Sequence, residues 1–275
     1  MNDQDDTLQR IAAALERLAP PPAEATDWLS AGAYVWNDDG VRAIAEIQAP
    51  PLALLRGIDR QKAVVTQNVG RLAEGHSAHD MLLWGSRGMG KSALIRASVR
   101  NAQAGDARKI ALVQVASAEP RSLPALFAEL SEQPRAFLVF LDDLGFAEGD
   151  SVGPRHLRSW LDGGVEARPG NVRLAVTSNR RAIVPRTMSE QDDPINPRDA
   201  VDDQLALADR FGLALGFHAC SQDEFLAIIE GYATEMGLEW DPAEALEWSR
   251  RRGGRSGRIA WHFVAELAGR AGRTL

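Results

Sequence analysis

Apolar positions along this chain fall into two alternating spacings. "DTLQRIAAALERLA" (Asp6–Ala19) sets Leu8, Ile11, Ala12, Leu15 and Leu18 on one helical face, and Pro20–Pro22 end the run. Up to about Leu55 the pattern loosens around Trp28, Tyr34 and Trp36, with a short helix expected near Val41–Ile47 and Pro50–Pro51 after it. From there, amphipathic stretches and short apolar runs take turns. Helices are expected over about Arg60–Glu74, Lys91–Ala102, Leu123–Glu132 and Pro154–Leu161. Strands are expected at Met81–Trp84, Ile110–Val115, Phe137–Leu141, Val172–Thr177 and, beyond a long polar loop (Val184–Gln204), at Leu213–Phe217. Near-continuous apolar strands separated by helices imply an α/β fold with a parallel sheet covered on both faces, because each crossover lays its helix on the sheet.

After Ala219 the strand pattern stops. "SQDEFLAIIEGYATEMG" opens with Ser221 and has Glu224 three residues on, the spacing of a capping box. "DPAEALEWSRRR" carries the aspartate and proline of a second helix start, and "SGRIAWHFVAELAGRA" supplies a third helix. The expected organisation is an N-terminal helical extension over residues 1–54, an α/β domain over 55–219 and a small helical domain over 220–275.

Composition narrows the classes without choosing among them. The chain has 275 residues and a net charge of −7, which argues against sequence-independent nucleic-acid binding as its main task. No apolar run approaches the roughly 18 residues of a membrane span, and the acidic start "MNDQDDTLQR" is unlike a signal peptide. Cys220 is the only cysteine, so a reducing cytoplasmic location is expected, with no membrane partner. His76 and His79 lack a third ligand at metal-binding spacing, and Arg250–Arg252 with Arg255 read first as a solvated face. "GRSGR" is not the G-x-S-x-G elbow of a hydrolase.

The chemistry concentrates in "WGSRGMGKSALIRA". Gly85, Ser86, Arg87, Gly88, Met89, Gly90, Lys91 and Ser92 match G-x-x-x-x-G-K-[ST], with a strand before and a helix after, as the phosphate loop requires. Glycines let backbone N–H groups turn toward a phosphate, and the helix N-terminus adds its positive dipole end. Lys91 is expected to reach the β- and γ-phosphates of ATP, and Ser92 to ligate Mg²⁺. "FLVFLDDL" is an apolar strand ending in two carboxylates: Asp142 is placed to hold Mg²⁺ through water, Asp143 to polarise an attacking water.

These motifs, with "GIDRQKAVVTQN", "LDGGVEARPGNVRLAVTSNRR", "DDQLALADRFGL" and "GRSGR", occur in an order that resembles the bacterial AAA+ ATP-binding proteins called domain of unknown function 815, over about Leu55 to Phe263. The resemblance implies a P-loop AAA+ domain with a five-stranded parallel sheet of order 5-1-4-3-2 and a helical lid. It also implies roles for single residues. Asn179 looks like sensor 1, which orients the water near the γ-phosphate. Arg210 looks like the arginine finger reaching a neighbouring subunit, and Arg258 like sensor 2 on the lid. Gly57 and Ile58 lie where the family wraps the adenine. Many AAA+ enzymes end the second motif in Asp-Glu, whereas this chain, like its family commonly, has Asp142-Asp143.

The expected function is a Mg²⁺-dependent ATPase that assembles as a homo-oligomeric ring or partial ring and remodels or loads a protein partner. Two alternatives stay open: a nucleotide-gated switch or adaptor with little turnover, and a DNA-associated loader, which the net charge disfavours.

Overall fold

A computed structural model describes residues 10–11, 26–37, 40–116, 123–145, 157–158, 161, 169–179 and 208–274. The helices expected at Asp6–Ala19 and Pro154–Leu161 lie mostly outside these residues, and the loop Val184–Gln204 wholly so. Seven strands form one sheet: β1 (Ala33–Asn37), β2 (Gly40–Ile44), β3 (Met81–Gly85), β4 (Ile110–Val115), β5 (Ala136–Leu141), β6 (Val172–Ser178) and β7 (Leu213–Phe217). Their order across the sheet is β2-β1-β4-β5-β6-β3-β7, with every neighbouring pair parallel except the antiparallel hairpin β1–β2. The helices are α1 (Asp59–Ala73), α2 (Lys91–Gln103), α3 (Leu123–Ser131), α4 (Gln222–Met236), α5 (Pro242–Arg251) and α6 (Gly257–Arg270).

The sheet departs from the expected five strands by the hairpin β1–β2, which extends it beyond β4. The short helix expected near Val41–Ile47 is instead mostly strand β2. Val41 and Ile44, three residues apart, mimic a helical face, but Trp36 and Ala33 stand opposite them in the hairpin register. Cross-strand pairing to a segment already docked on β4 overrides that local spacing. The five expected strands keep the order fifth, first, fourth, third, second from the β7 edge inward.

Alternate residues of the central strands feed two cores. Phe137, Val139 and Leu141 of β5 pack with Leu123, Leu126 and Leu130 on one side of the sheet. Leu138 and Phe140 pack toward Val65, Val69, Leu94 and Ile95 of α1 and α2 on the other. Burial of β5 on both faces is why its sequence, AFLVFL, shows no polar alternation. The N-terminal segment is pinned by Arg135, which is 4% exposed. Its Nη1 donates to the carbonyls of Trp28 (2.9 Å) and Ala31 (2.7 Å), its Nη2 to those of Ala107 (2.5 Å) and Ile110 (2.9 Å).

Each C-terminal helix has a side-chain cap at its start. Ser221 and Glu224 form the expected capping box on α4, Asp241 accepts from the first-turn amides of α5, and Ser256 Oγ accepts from Ile259 N–H on α6. Among the described residues no helix is long and apolar enough to cross a membrane.

Candidate nucleotide-binding site

The loop from β3 to α2 is shaped by three left-handed glycines: Gly85 (φ 117°), Gly88 (φ 73°) and Gly90 (φ 85°). A Cβ on Gly85 would stand 2.1 Å from the carbonyl oxygen of Phe217, so this glycine is required by the close approach of β7. Ser86 N–H completes that approach, donating to the same oxygen at 2.8 Å. Gly90 ends the loop as the N-cap of α2, leaving Lys91 as the first helical residue.

Lys91 is 7% exposed, and its Nζ donates to the carbonyls of Gly85 (2.8 Å) and Ser86 (2.9 Å) and to Asn179 Oδ1 (3.4 Å). Burial pulls this ammonium below the ordinary lysine value; the carboxylates of Asp143 and Asp142 oppose that pull, while Arg258 and Arg87 add to it. The two aspartates sit just past the end of β5, one strand removed from β3 by β6. Asp142 Oδ1 accepts from Ser92 Oγ (2.5 Å) and from Thr177 Oγ1 (2.7 Å). Asp143 N–H donates to Thr177 Oγ1 at 2.8 Å, and Asp143 Oδ1 accepts from Asn179 Nδ2. Asp143 has φ 53° and is the one non-glycine with positive φ among the described residues.

Above the loop opens a cleft of about 960 Å³. Its lining includes Arg87 to Ser92 with Asp142, Asp143, Thr177 and Asn179, and the apolar Leu54, Leu55, Ile58, Ile228, Tyr232 and Trp261. The rings of Tyr232 and Trp261 meet edge-on, 5.1 Å between centroids, and burial raises the Tyr232 phenol above its usual value. The start of α6 touches the loop directly: Arg258 N–H donates to Gly88 O at 3.0 Å, and a Cβ on Gly88 would lie 2.9 Å from Ser256 Oγ.

Of the residues singled out in sequence, Ile58, Arg87 to Ser92, Asp142, Asp143, Asn179 and Arg258 line this cleft. Gly85 and Ser86 lie behind it against β7, and Gly57 (φ 75°) precedes Ile58 without lining it. Arg210 is elsewhere. It precedes β7, whose Leu213 stands beside Met81 and whose Phe217 stands beside Gly85, so Arg210 occupies the sheet rim opposite the loop. Sequence reasoning missed Thr177, Tyr232 and Trp261. Thr177 carried a signal, a hydroxyl among the apolar residues of a buried strand; Tyr232 and Trp261 lie within the expected C-terminal helices, where nothing in the spacing marks them. No group of three or more His, Cys, Asp or Glu able to hold a metal occurs among the described residues. The cation ligands available at the loop are a hydroxyl and a carboxylate, a set suited to Mg²⁺, which keeps most of its waters.

Solved structures share this fold. A point variant of RuvB from Thermotoga maritima matches with a TM-score of 0.54 and 17% identity, covering 82% of this chain and 68% of that one. The T. maritima RuvB Holliday junction branch migration motor gives 0.51 and 17%, covering 79% and 65%. The Aeropyrum pernix ORC1 protein in complex with DNA gives 0.52 and 16%, covering 80% and 65%. The chain thus spans about two thirds of those proteins' lengths, and at such identities the likeness is one of fold alone. No curated protein matches the chain. A family model described as Protein of unknown function (DUF815) matches residues 30–271, nearly the whole chain and the entire cleft with it; the chain belongs to that family.

Proposed function

We propose that the chain is a Mg²⁺-dependent ATPase that acts in the cytoplasm as a homo-oligomeric ring or partial ring and remodels or loads a protein partner. The observation that supports it is the convergence of Lys91, Ser92, Asp142, Asp143 and Asn179 at the ends of β3, β5 and β6, beside a cleft of nucleotide size. The glycine-shaped loop, the buried ammonium and the hydroxyl–carboxylate pair fit a triphosphate with its metal.

Lys91 would turn from the loop carbonyls to the β- and γ-phosphates. Ser92 Oγ would ligate Mg²⁺ directly and Asp142 through water; bound there, the ion neutralises charge developing on the phosphoryl oxygens. Asp143 would accept a proton from the attacking water, which Asn179 orients. Leu55, Ile58, Ile228 and Tyr232 would take the adenine, with Gly57 in the adjoining turn. Arg258 would contact the phosphates from α6 and couple the set of the helical lid to the nucleotide.

Arg210 supports assembly by its position. The five-residue strand β7 separates it from its own loop by about 17 Å, a placement that supports a role toward another subunit's γ-phosphate rather than its own. ATPase activity per subunit should rise with protein concentration. Arg210→Ala should bind ATP normally and hydrolyse it about 10³–10⁵-fold more slowly, the range of known arginine fingers. Mixing it with Lys91→Ala should restore part of the turnover. A concentration-independent rate in a sedimenting monomer would overturn this reading.

One observation favours a second reading, a nucleotide-gated switch with little turnover. Asp143 is one methylene shorter than glutamate, and its carboxylate is held by Asn179. Absence of phosphate release by wild type at every concentration and with every partner tried would select it. A DNA-associated loader draws on the basic patch Arg250–Arg252 with Arg255 and on the fold likeness to the named RuvB and ORC1 structures, against a net charge of −7.

A further inference from the structure

Thr177 sits at the penultimate position of β6, 1% exposed, behind the two aspartates. Its hydroxyl has one hydrogen to give, and that hydrogen goes to Asp142 Oδ1 at 2.7 Å. A lone pair of the same oxygen receives Asp143 N–H at 2.8 Å. Its main-chain carbonyl receives Leu144 N–H at 2.7 Å. Three successive residues, where the chain leaves β5, are therefore held by one residue of the neighbouring strand.

We infer that Thr177 is a positioning residue for the metal-side carboxylate: its buried hydroxyl fixes Asp142 and, through the backbone, Asp143. The inference rests on the nucleotide reading above and adds to it a residue that acts through the two aspartates. Asp142 Oδ1 now has two hydroxyl donors, Ser92 and Thr177. A cation at Ser92 would be held by a lone pair of its oxygen, and Thr177 supplies a donor to Asp142 that is independent of that residue and keeps this carboxylate aimed. The second bond bears on Asp143. Its φ of 53° is unfavourable for a residue with a side chain, and the N–H bond to Thr177 holds it there with its carboxylate toward Asn179. The preceding residues Leu174, Ala175 and Val176 are buried and apolar, so packing at this strand end needs no hydroxyl. Valine would fill the same space and supply neither bond.

The test compares wild type, Thr177→Val and Thr177→Ser, using the fluorescent analogue mant-ATP titrated in EDTA and again in Mg²⁺. In EDTA all three should bind alike, because the loop and Lys91 are unchanged. In Mg²⁺ wild type should tighten; Thr177→Val should lose about tenfold or more of that tightening, the effect of one hydrogen bond to a charged group, and Thr177→Ser should keep most of it. Turnover should follow, with kcat falling and KM for the Mg²⁺ complex rising in Thr177→Val, and with Thr177→Ser close to wild type in both. Thr177→Ala replaces the valine variant if that one does not fold. Mg²⁺ tightening in Thr177→Val equal to wild type would overturn the inference alone. A loss of affinity in EDTA as well would also overturn it, since it would mark general damage to the cleft. Wild type that binds no mant-ATP in either buffer would remove the nucleotide reading, and the inference with it.

Discussion

Gly85→Ala tests what the first glycine of the loop is for. The added Cβ would lie 2.1 Å from Phe217 O and 3.0 Å from Phe217 C and N, all main-chain atoms of the adjacent strand. No side-chain rotation relieves that contact, so β3 and β7 must part where Ser86 N–H now meets Phe217 O at 2.8 Å. Holding alanine at φ 117° costs about 1–3 kcal/mol, and forcing extra volume into a packed interface about as much again. Losing the hydrogen bond adds about 1 kcal/mol, and the stiffer unfolded chain returns about 0.4–1 kcal/mol. The net loss should be about 2–7 kcal/mol, a large share of the roughly 5–15 kcal/mol that stabilises a typical domain. Gly253→Ala is the control: its φ is 78°, but nothing lies within 4 Å of the new Cβ, so only the backbone cost of about 1 kcal/mol applies. Equilibrium urea unfolding of both variants measures the difference. A Gly85→Ala protein within about 1 kcal/mol of Gly253→Ala would show that β7 yields easily and that the glycine serves the ligand instead.

Two further outcomes follow from buried cations. Arg135→Met leaves four carbonyls without their donor while sparing the burial of a guanidinium, for a net loss of about 2–4 kcal/mol in urea unfolding; a loss below about 1 kcal/mol would mean the N-terminal segment is held without it. For Lys91, whose folded pKa is lowered by burial, the unfolded chain carries more protons between that lowered value and the ordinary one. Stability of the nucleotide-free protein should therefore rise with pH across this alkaline window, while ATP affinity, which needs the ammonium, falls; Lys91→Met should lack the rise, and equal pH slopes in both proteins would refute the assignment.

The central strands were legible because burial on both faces writes them as unbroken apolar runs; β4 falls on the expected bounds, and β5 gains only Ala136. The loop between β3 and α2 was legible because its glycines, lysine and hydroxyl are contiguous in the pattern G-x-x-x-x-G-K-[ST]. The hairpin β1–β2 was not, since its strand character comes from pairing with β4, more than seventy residues away, as Ala33 beside Leu112 shows. Arg135 was invisible for the same reason: its acceptors Trp28 and Ala31 lie 107 and 104 positions away. Thr177 stands two residues from Asn179 in sequence, yet its role appears only once β6 is laid beside β5.

The bond from Arg258 N–H to Gly88 O has a mechanical side. It falls in the first turn of α6, a 14-residue helix that behaves as a rod about 21 Å long. Pivoted at that end, the rod magnifies what happens at its fulcrum: a tilt of about 10° sweeps the far end through about 4 Å. At that far end Arg270 grips Glu244 of α5 at 2.5 Å, so the sweep is handed on to a second helix. A tilt of α6 set by a change in this loop would thus be geared to a larger stroke at the distant end of the helix.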